Sequence, residues 1–391
     1  SIYLWILRSL MKTIFVIESL SSKGGAEHAL INLVTEFQSR GLKPQIVYLW
    51  EPNDFTDSLN SLGIKTHSLS LRTRWSIFSG LARLLKVLHK EEPDILNAIN
   101  FFPMFYCALT KLFLWKTCRV VSFHNMGYES YPANTVIKKL RKRIDIFLNR
   151  AMDGHTAVSR AVAVSYKHHL KLSSIEIINN IIPEKKILSL LPNARRKSIS
   201  KELHLEQYQI IMAGRLVPEK GYNFMISAMS LLIRKGLKIK LDIYGEGPLL
   251  EEISQSIQSY NLGRTISIHK SVGHKILFNK IFHSDLLVLS SISEGLPMAA
   301  AEAMVIGTPI IATKVGGLPE MIEDKISGIL VDAKDPEALA NTIEHVLKDK
   351  DLQTQLSEGG VKRMQEKYSS DKVCINLINY FEEVRKNRGM N

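Results

Sequence analysis

Two cations and two carboxylates in the second half of the chain have the types and spacing to hold an anionic, hydroxyl-bearing ligand. Arg215 and Lys220 lie in Gly214-Arg215-Leu216-Val217-Pro218-Glu219-Lys220-Gly221, between an apolar run, Gln209 to Ala213, and a helical pattern from about Tyr222. A glycine at a strand end lets backbone approach a ligand, and the amides of a following helix N-terminus attract anions. An arginine fork and a mobile ammonium there suit a diphosphate; the same pair also reads as two solvated surface cations. Glu294 and Glu302 stand eight residues apart in Ser290 to Met304, the first in a loop after a strand, the second in a helix of small residues. A carboxylate accepts two hydroxyls, so this pair matches a sugar and a ribose. The alternative for Glu302 is a side chain that merely reaches water. Tyr244-Gly245-Glu246-Gly247-Pro248 ends another strand, with Pro248 placed to open a helix from Leu249 to Tyr260. Alone it is a tight turn, but it falls at the same end of the sheet as the Gly214 loop.

The elements that must position these loops follow from periodicity. From Thr13 onward, short β-branched runs alternate with longer helical patterns, the signature of a parallel α/β sheet. The first half offers strands at Thr13 to Glu18, Gln45 to Trp50, Ile64 to Leu69, Asp94 to Ile99, Val120 to His124, His155 to Val158 and Ile175 to Asn179. Helices are expected at Ala26 to Ser39, Ser76 to Lys90, Val136 to Arg150 and Arg160 to His169. The pattern weakens between Pro183 and Gln207, which reads as a linker containing the Arg195-Arg196-Lys197 cluster, and then resumes. Strands are expected at Gln209 to Ala213, Ile239 to Tyr244, Thr265 to His269, Asp285 to Ser290, Pro309 to Thr313 and Gly328 to Val331, with helix from Asp335 to the end. The expected organisation is two doubly wound domains, 11–182 and 183–370, and a terminal helix over 371–391 returning to the first. Two such domains leave a cleft, where ligands of open α/β sheets bind.

Composition and charge narrow the partners. The 391 residues, 45% apolar and 23% charged, exclude disorder and collagen-like repeats. Cys107, Cys118 and Cys374 form no C-x-x-C pair, so neither a disulfide framework nor a zinc site is indicated, and a reducing compartment fits. The longest apolar stretch, Ile99 to Trp115, holds Pro103 and Lys111 and is too short to span a bilayer. Met11 reads as the natural start, with residues 1–10 an extension. Residues 1–200 carry 28 basic and 14 acidic side chains, whereas the remainder is nearly neutral. The densest part is Val136 to Arg150, with Lys138, Lys139, Arg141, Lys142 and Arg143. Ile137, Leu140, Ile144, Phe147 and Leu148 recur there at helical spacing, giving an apolar face that enters the domain core or lies on an anionic bilayer.

The Gly214 to Gly221 loop, Tyr244 to Pro248, and Glu294-x7-Glu302 with Gly307-Thr308-Pro309 and Gly316-Gly317-Leu318-Pro319 behind it resemble the family 4 retaining glycosyltransferases of GT-B fold. Gly24-Gly25-Ala26-Glu27 resembles their N-terminal glycine loop. The resemblance covers nearly the whole chain from Met11. It implies that Arg215 and Lys220 bind the diphosphate of a nucleotide-sugar donor and stabilise the leaving group, that Glu294 holds donor-sugar hydroxyls and that Glu302 holds the ribose. Gly214, Gly247 and the backbone from Gly295 through Leu296 and Pro297 to Met298 are implied to approach the donor, with Gly24 and Gly25 opposite the diphosphate. His124 is implied to sit near the anomeric carbon. Asn179-Asn180-Ile181-Ile182-Pro183 departs from the family's Pro-Asn-Gly-Val-Asp, having lost its glycine and acid.

The one Asp-x-Asp, Asp349-Lys350-Asp351, falls in the helical stretch after Asp335 and not in a loop behind a strand, and the expectation is a metal-independent reaction with no cofactor beyond the donor substrate. The expectation is therefore a retaining transferase in surface polysaccharide biosynthesis, cytoplasmic or peripheral on the inner membrane face. UDP is favoured as the nucleotide, and the acceptor is a glycan or lipid-linked saccharide. A non-catalytic glycan-binding relative is the rival; a nucleic-acid binder rests on net charge alone, without a binding motif.

Overall fold

The computed structural model describes residues 11–22, 24–73, 76–130, 136–191 and 207–389. Residues 1–10 and the 195–197 cluster therefore lie outside the described residues. The chain divides into two compact units, Ser1–Ile181 with Ser370–Asn391, and Ile182–Ser369.

The first unit is a parallel sheet of β1 (Thr13–Ile17), β2 (Gln45–Tyr48), β3 (Lys65–Ser68), β4 (Ile95–Ile99), β5 (Cys118–Phe123), β6 (Gly154–Ala157) and β7 (Glu176–Ile177), in the order β3-β2-β1-β4-β5-β6-β7. β1, β4 and β5 are buried along their whole length, which is why their sequences are nearly continuous apolar runs instead of alternating ones. The chain reverses its direction of travel across the sheet between β1 and β4. Helix Ser370–Asn387 belongs to this unit because Val373, Leu377, Phe381 and Val384 recur on one stripe and enter the core with Phe15 and Leu30. Its Tyr380 hydroxyl accepts from His155 N at 2.8 Å and donates to His155 O at 3.1 Å.

The second unit repeats the plan with β8 (Tyr208–Ala213), β9 (Ile239–Tyr244), β10 (Ile266–His269), β11 (Leu286–Leu289), β12 (Ile310–Thr313) and β13 (Ile329–Val331), in the order β10-β9-β8-β11-β12-β13. All its pairings are parallel. The reversal here lies between β8 and β11, and the loops leaving their C-terminal ends carry Arg215, Lys220 and Glu294. Both sheets have the doubly wound plan of Rossmann-like domains.

Two local expectations change, and one further helix is found. The linker read over Pro183 to Gln207 contains a helix, Glu184–Ser189, which buries Ile187 and packs on helix Met298–Ile306. The helix after β9 begins at Leu250, so Pro248 sits in the preceding turn. Phe101–Leu109 is a helix, and its Pro103, Met104, Tyr106 and Cys107 are buried.

Candidate active site

In the second unit four loops at the C-terminal edge of the sheet are fastened together by backbone and hydroxyl hydrogen bonds. Gly214 N donates to Tyr244 O at 3.0 Å and Leu216 N to Glu246 O at 2.9 Å, joining the loops after β8 and β9. A Cβ on Gly247 would lie 2.4 Å from Leu216 O, so only glycine lets these loops meet. Ile292 N donates to Glu219 O at 2.8 Å and Ser290 Oγ to Gly221 O at 3.0 Å, joining the loops after β8 and β11. Gly317 N donates to Gly295 O at 3.0 Å, and Thr313 Oγ1 to Ser291 O at 2.6 Å, which adds the loop after β12. Gly316 has φ of 54° and a Cβ there would fall 1.7 Å from Glu294 O, so this contact demands glycine on both counts.

The fastening brings together residues far apart in sequence. Lys220 Nζ donates to Glu294 Oε1 at 2.6 Å, and Ser291 Oγ donates to the same oxygen at 2.6 Å. Glu294 is 9% exposed, and its loop ends at Pro297, the N-cap of helix Met298–Ile306. Glu302 lies on that helix, 7% exposed. Among the described residues it has no hydrogen-bond or ion-pair partner, and burial alone raises its carboxyl to about 7. Arg215 is exposed and, among the described residues, makes no ion pair, while its carbonyl and that of Gly214 accept from Tyr222 Oη at 3.3 and 3.0 Å. The loop thus holds one cation committed to a carboxylate and one left open, beside a helix N-terminus. Leu296 is buried beneath the turn and Met298 starts the helix.

The first unit holds the remaining candidates. Gly24 caps helix Gly25–Ser39, and a Cβ on it would overlap the Glu27 carboxylate at 1.9 Å, whereas Gly25 faces open space. His124 follows β5. Its backbone N donates to Asn100 Oδ1 at 3.0 Å, its buried Nδ1 has no partner among the described residues, and burial lowers its imidazole to about 4. His124 is therefore neutral at ordinary pH, a hydrogen-bonding group and not a cation. It borders a small cavity with Asn97, Ser122 and Thr156, whose side chains hydrogen-bond one another: Thr156 Oγ1 donates to Ser122 Oγ at 2.7 Å, and Ser122 Oγ to Asn97 Oδ1 at 3.1 Å.

Sequence reasoning missed Asn100 and Ser291. Asn100 has φ of 64° and ψ of −164°, a region that side chains other than glycine's rarely occupy. Ser291 carried a faint signal, being one of two serines at a strand end.

The basic helix Val136–Asn149 differs from the expectation of a single apolar face. Leu148 is buried, but Leu140, Ile144 and Phe147 are exposed. The inward side instead buries Asp145 and Asn149: Asn149 Nδ2 donates to Asp145 Oδ1 at 2.6 Å, and Tyr128 Oη also donates to Asp145. Burial lifts Asp145 to about 6. Lys139, Arg141 and Arg143 are exposed, and Lys142 turns toward His169 Nδ1 at 3.0 Å. The side chains of Ile137 and Lys138 lie outside the described residues.

The sequence matches the family model described as Glycosyltransferase Family 4 over residues 23–186 and that described as Glycosyl transferases group 1 over residues 194–363. The chain belongs to glycosyltransferase family 4. It is 29% identical over 265 residues to an uncharacterized glycosyltransferase, MJ1607, of Methanocaldococcus jannaschii, covering 65% of this chain and 60% of that one. It is 23% identical over 339 residues to the capsular polysaccharide biosynthesis glycosyltransferase CapM of Staphylococcus aureus, covering 82% and 85%. The chain spans about half to three fifths of the length of the first curated relatives it matches. Among solved structures, Anabaena Alr3699/HepE in complex with UDP and glucose superposes with a TM-score of 0.80 at 19% identity, covering 95% of this chain and all of that one. This family 4 chain has the GT-B fold, and the loops just described are the second Rossmann-like domain's contribution to it.

Proposed function

We propose that this family 4 glycosyltransferase moves a sugar from a nucleoside diphosphate sugar, UDP favoured, to a glycan acceptor in surface polysaccharide biosynthesis. The reaction proceeds with retention and without a metal, and the acceptor is lipid-linked at the cytoplasmic membrane face. The observation that carries this reading is the loop cluster of the second unit, where Lys220, in the same loop as open Arg215, pairs with Glu294 at 2.6 Å and buried Glu302 follows on helix Met298–Ile306. As the bond from anomeric carbon to phosphate oxygen breaks, negative charge gathers on the departing diphosphate. Arg215 and Lys220 meet that charge, Lys220 held in advance by Glu294 and Arg215 open to the ligand, which is electrostatic transition-state stabilisation. Ser291 keeps Glu294 in place while the other carboxylate oxygen accepts sugar hydroxyls, and Glu302 accepts from a ribose. His124, neutral, hydrogen-bonds at the sugar.

UDP is favoured because the solved relative Alr3699/HepE is described with UDP and UDP-glucose. The polysaccharide role draws on relatives named for capsule and colanic acid biosynthesis. Retention follows the family resemblance, and metal independence rests on two cations supplied by the chain itself.

A thermal-shift series with UDP, GDP, ADP and CMP, with and without EDTA, tests the site on wild type and on the Arg215→Ala, Lys220→Ala variant. A ligand at roughly 100 times its dissociation constant stabilises by about 2.7 kcal/mol. The expected result is one nucleotide whose shift survives EDTA and disappears in the variant; equal shifts in both proteins would sink the assignment. Binding without consumption of UDP-sugar in the presence of acceptor would instead identify a non-catalytic glycan-binding protein.

A further inference from the structure

Exposed large apolar side chains of the first unit include Phe78 and Val164, which stand singly on their helices, and one group that is close in sequence. Leu112, Phe113 and Trp115, 82%, 55% and 70% exposed, project from residues 110–117, the segment joining the Phe101–Leu109 helix to β5. This segment is held rigidly from within. Arg119, fully buried on β5, donates from Nε to Thr110 Oγ1 at 3.0 Å, from one terminal nitrogen to Thr117 O at 2.6 Å, and from the other to Leu114 O at 2.6 Å. Arg388 adds donations to Trp115 O at 2.8 Å and Thr117 O at 2.7 Å. Two guanidinium groups thus hold the backbone carbonyls inward and leave the apolar side chains facing out.

Lys111 links this segment to the end of the basic helix, donating to Ala151 O at 3.0 Å and pairing with Asp153 at 3.2 Å. One turn before Ala151 stands Phe147, 70% exposed, and at i−3 and i−7 from it stand exposed Ile144 and Leu140. Lys116, Lys139, Arg141, Arg143 and Arg150 flank these residues and are exposed. Among the described residues the acidic side chains nearby are spoken for: Asp145 is buried under Tyr128 and Asn149, and Asp153 pairs with Lys111 and Arg388.

We infer that this face of the first unit docks on an anionic lipid surface, with Trp115, Phe113 and Leu112 entering the headgroup region and Leu140, Ile144 and Phe147 lying along it. Charge complementarity selects the occupant, since an apolar strip whose exposed flanking charges, among the described residues named above, are cations fits anionic lipid. Trp115, Phe113 and Phe147 also offer faces on which bases stack, so single-stranded nucleic acid is the rival occupant that the test must exclude. The docking rests on the proposed function only for its purpose, bringing the chain to a lipid-linked acceptor.

The test is flotation of the full chain with vesicles of phosphatidylcholine alone and of phosphatidylcholine mixed with phosphatidylglycerol. Wild type is expected to bind the anionic vesicles roughly tenfold or more tightly than the neutral ones, and Trp115→Ser with Phe147→Ser to lose roughly tenfold of that affinity. Both positions are exposed, so the melting temperature should not move. Brominated acyl chains should quench a fluorescence component present in wild type and missing in Trp115→Ser. No flotation with anionic vesicles at low salt, flotation of the double variant equal to wild type, or displacement from vesicles by single-stranded RNA at physiological salt would each overturn the inference. Arg215→Ala, altered in the other unit, should float like wild type. A chain that floats but gains no stability from any nucleotide keeps the docking and loses the proposed function; the opposite pattern does the reverse.

Discussion

Glu302→Gln makes a measurable demand on the proposed ribose contact, because a carboxyl buried without a partner links stability to pH. The folded-state value of about 7 stands above the ordinary 4.5, so the native chain keeps a proton that the unfolded chain has released. Stability from this group is therefore intact below about 4.5, falls as pH rises through about 7, and is fully lost above that. The difference of about 2.5 units corresponds to about 3 kcal/mol at 1.36 kcal/mol per unit. Glutamine cannot ionise, so Glu302→Gln should be more stable than wild type by up to about 3 kcal/mol near pH 8 and close to equal below about pH 4. For a unit of this size that is a melting-temperature gain of roughly 6–12 °C. A nucleotide whose ribose donates to the ionised carboxylate lowers its pKa, so UDP should stabilise wild type more near pH 8 than near pH 6, and this pH dependence should vanish in the variant. Melting curves of both proteins across pH, with and without UDP, read all of this out. Parallel melting-temperature profiles for the two proteins would mean that Glu302 is solvated or partnered in solution and would refute the reasoning.

Three further substitutions probe the same sites. Glu294→Gln removes the charge that pairs with Lys220 at 2.6 Å, and steady-state kinetics should show kcat down by roughly 10- to 100-fold, the worth of a charged hydrogen bond; unchanged turnover would separate Glu294 from the reaction. Gly316→Ala sets a methyl 1.7 Å from Glu294 O at positive φ, so denaturant unfolding should show a loss of about 2 kcal/mol or more, accompanied by loss of nucleotide binding. Asn100→Gly relieves the backbone strain but removes the acceptor of His124 N, so the melting temperature should hold while kcat falls several-fold; Asn100→Asp, which keeps the acceptor, should restore it.

The sheet architecture and the site loops were legible in the sequence because each is encoded locally. A buried parallel strand must be apolar along its length, and a loop that meets another backbone must carry glycine, so the run to Ala213 and Gly214-Arg215, or the run to Leu289 and Glu294-Gly295, announce themselves within a few residues. The short edge strand Glu176–Ile177, exposed on both residues, gave a longer expectation than the structure because edge pairing depends on a neighbour. Tertiary structure alone decided which groups meet. Lys220 reaches Glu294, 74 residues away, because β8 lies beside β11 in the sheet order, and strand order is set by crossovers that no local pattern specifies. It also decided which side of helix Val136–Asn149 faces inward: helical periodicity marks Leu140, Ile144 and Phe147 as one stripe, but a stripe is buried only if a partner surface meets it. Here Tyr128 and the helix's own Asn149 satisfy buried Asp145, so the polar side packs inward and the apolar stripe remains outside.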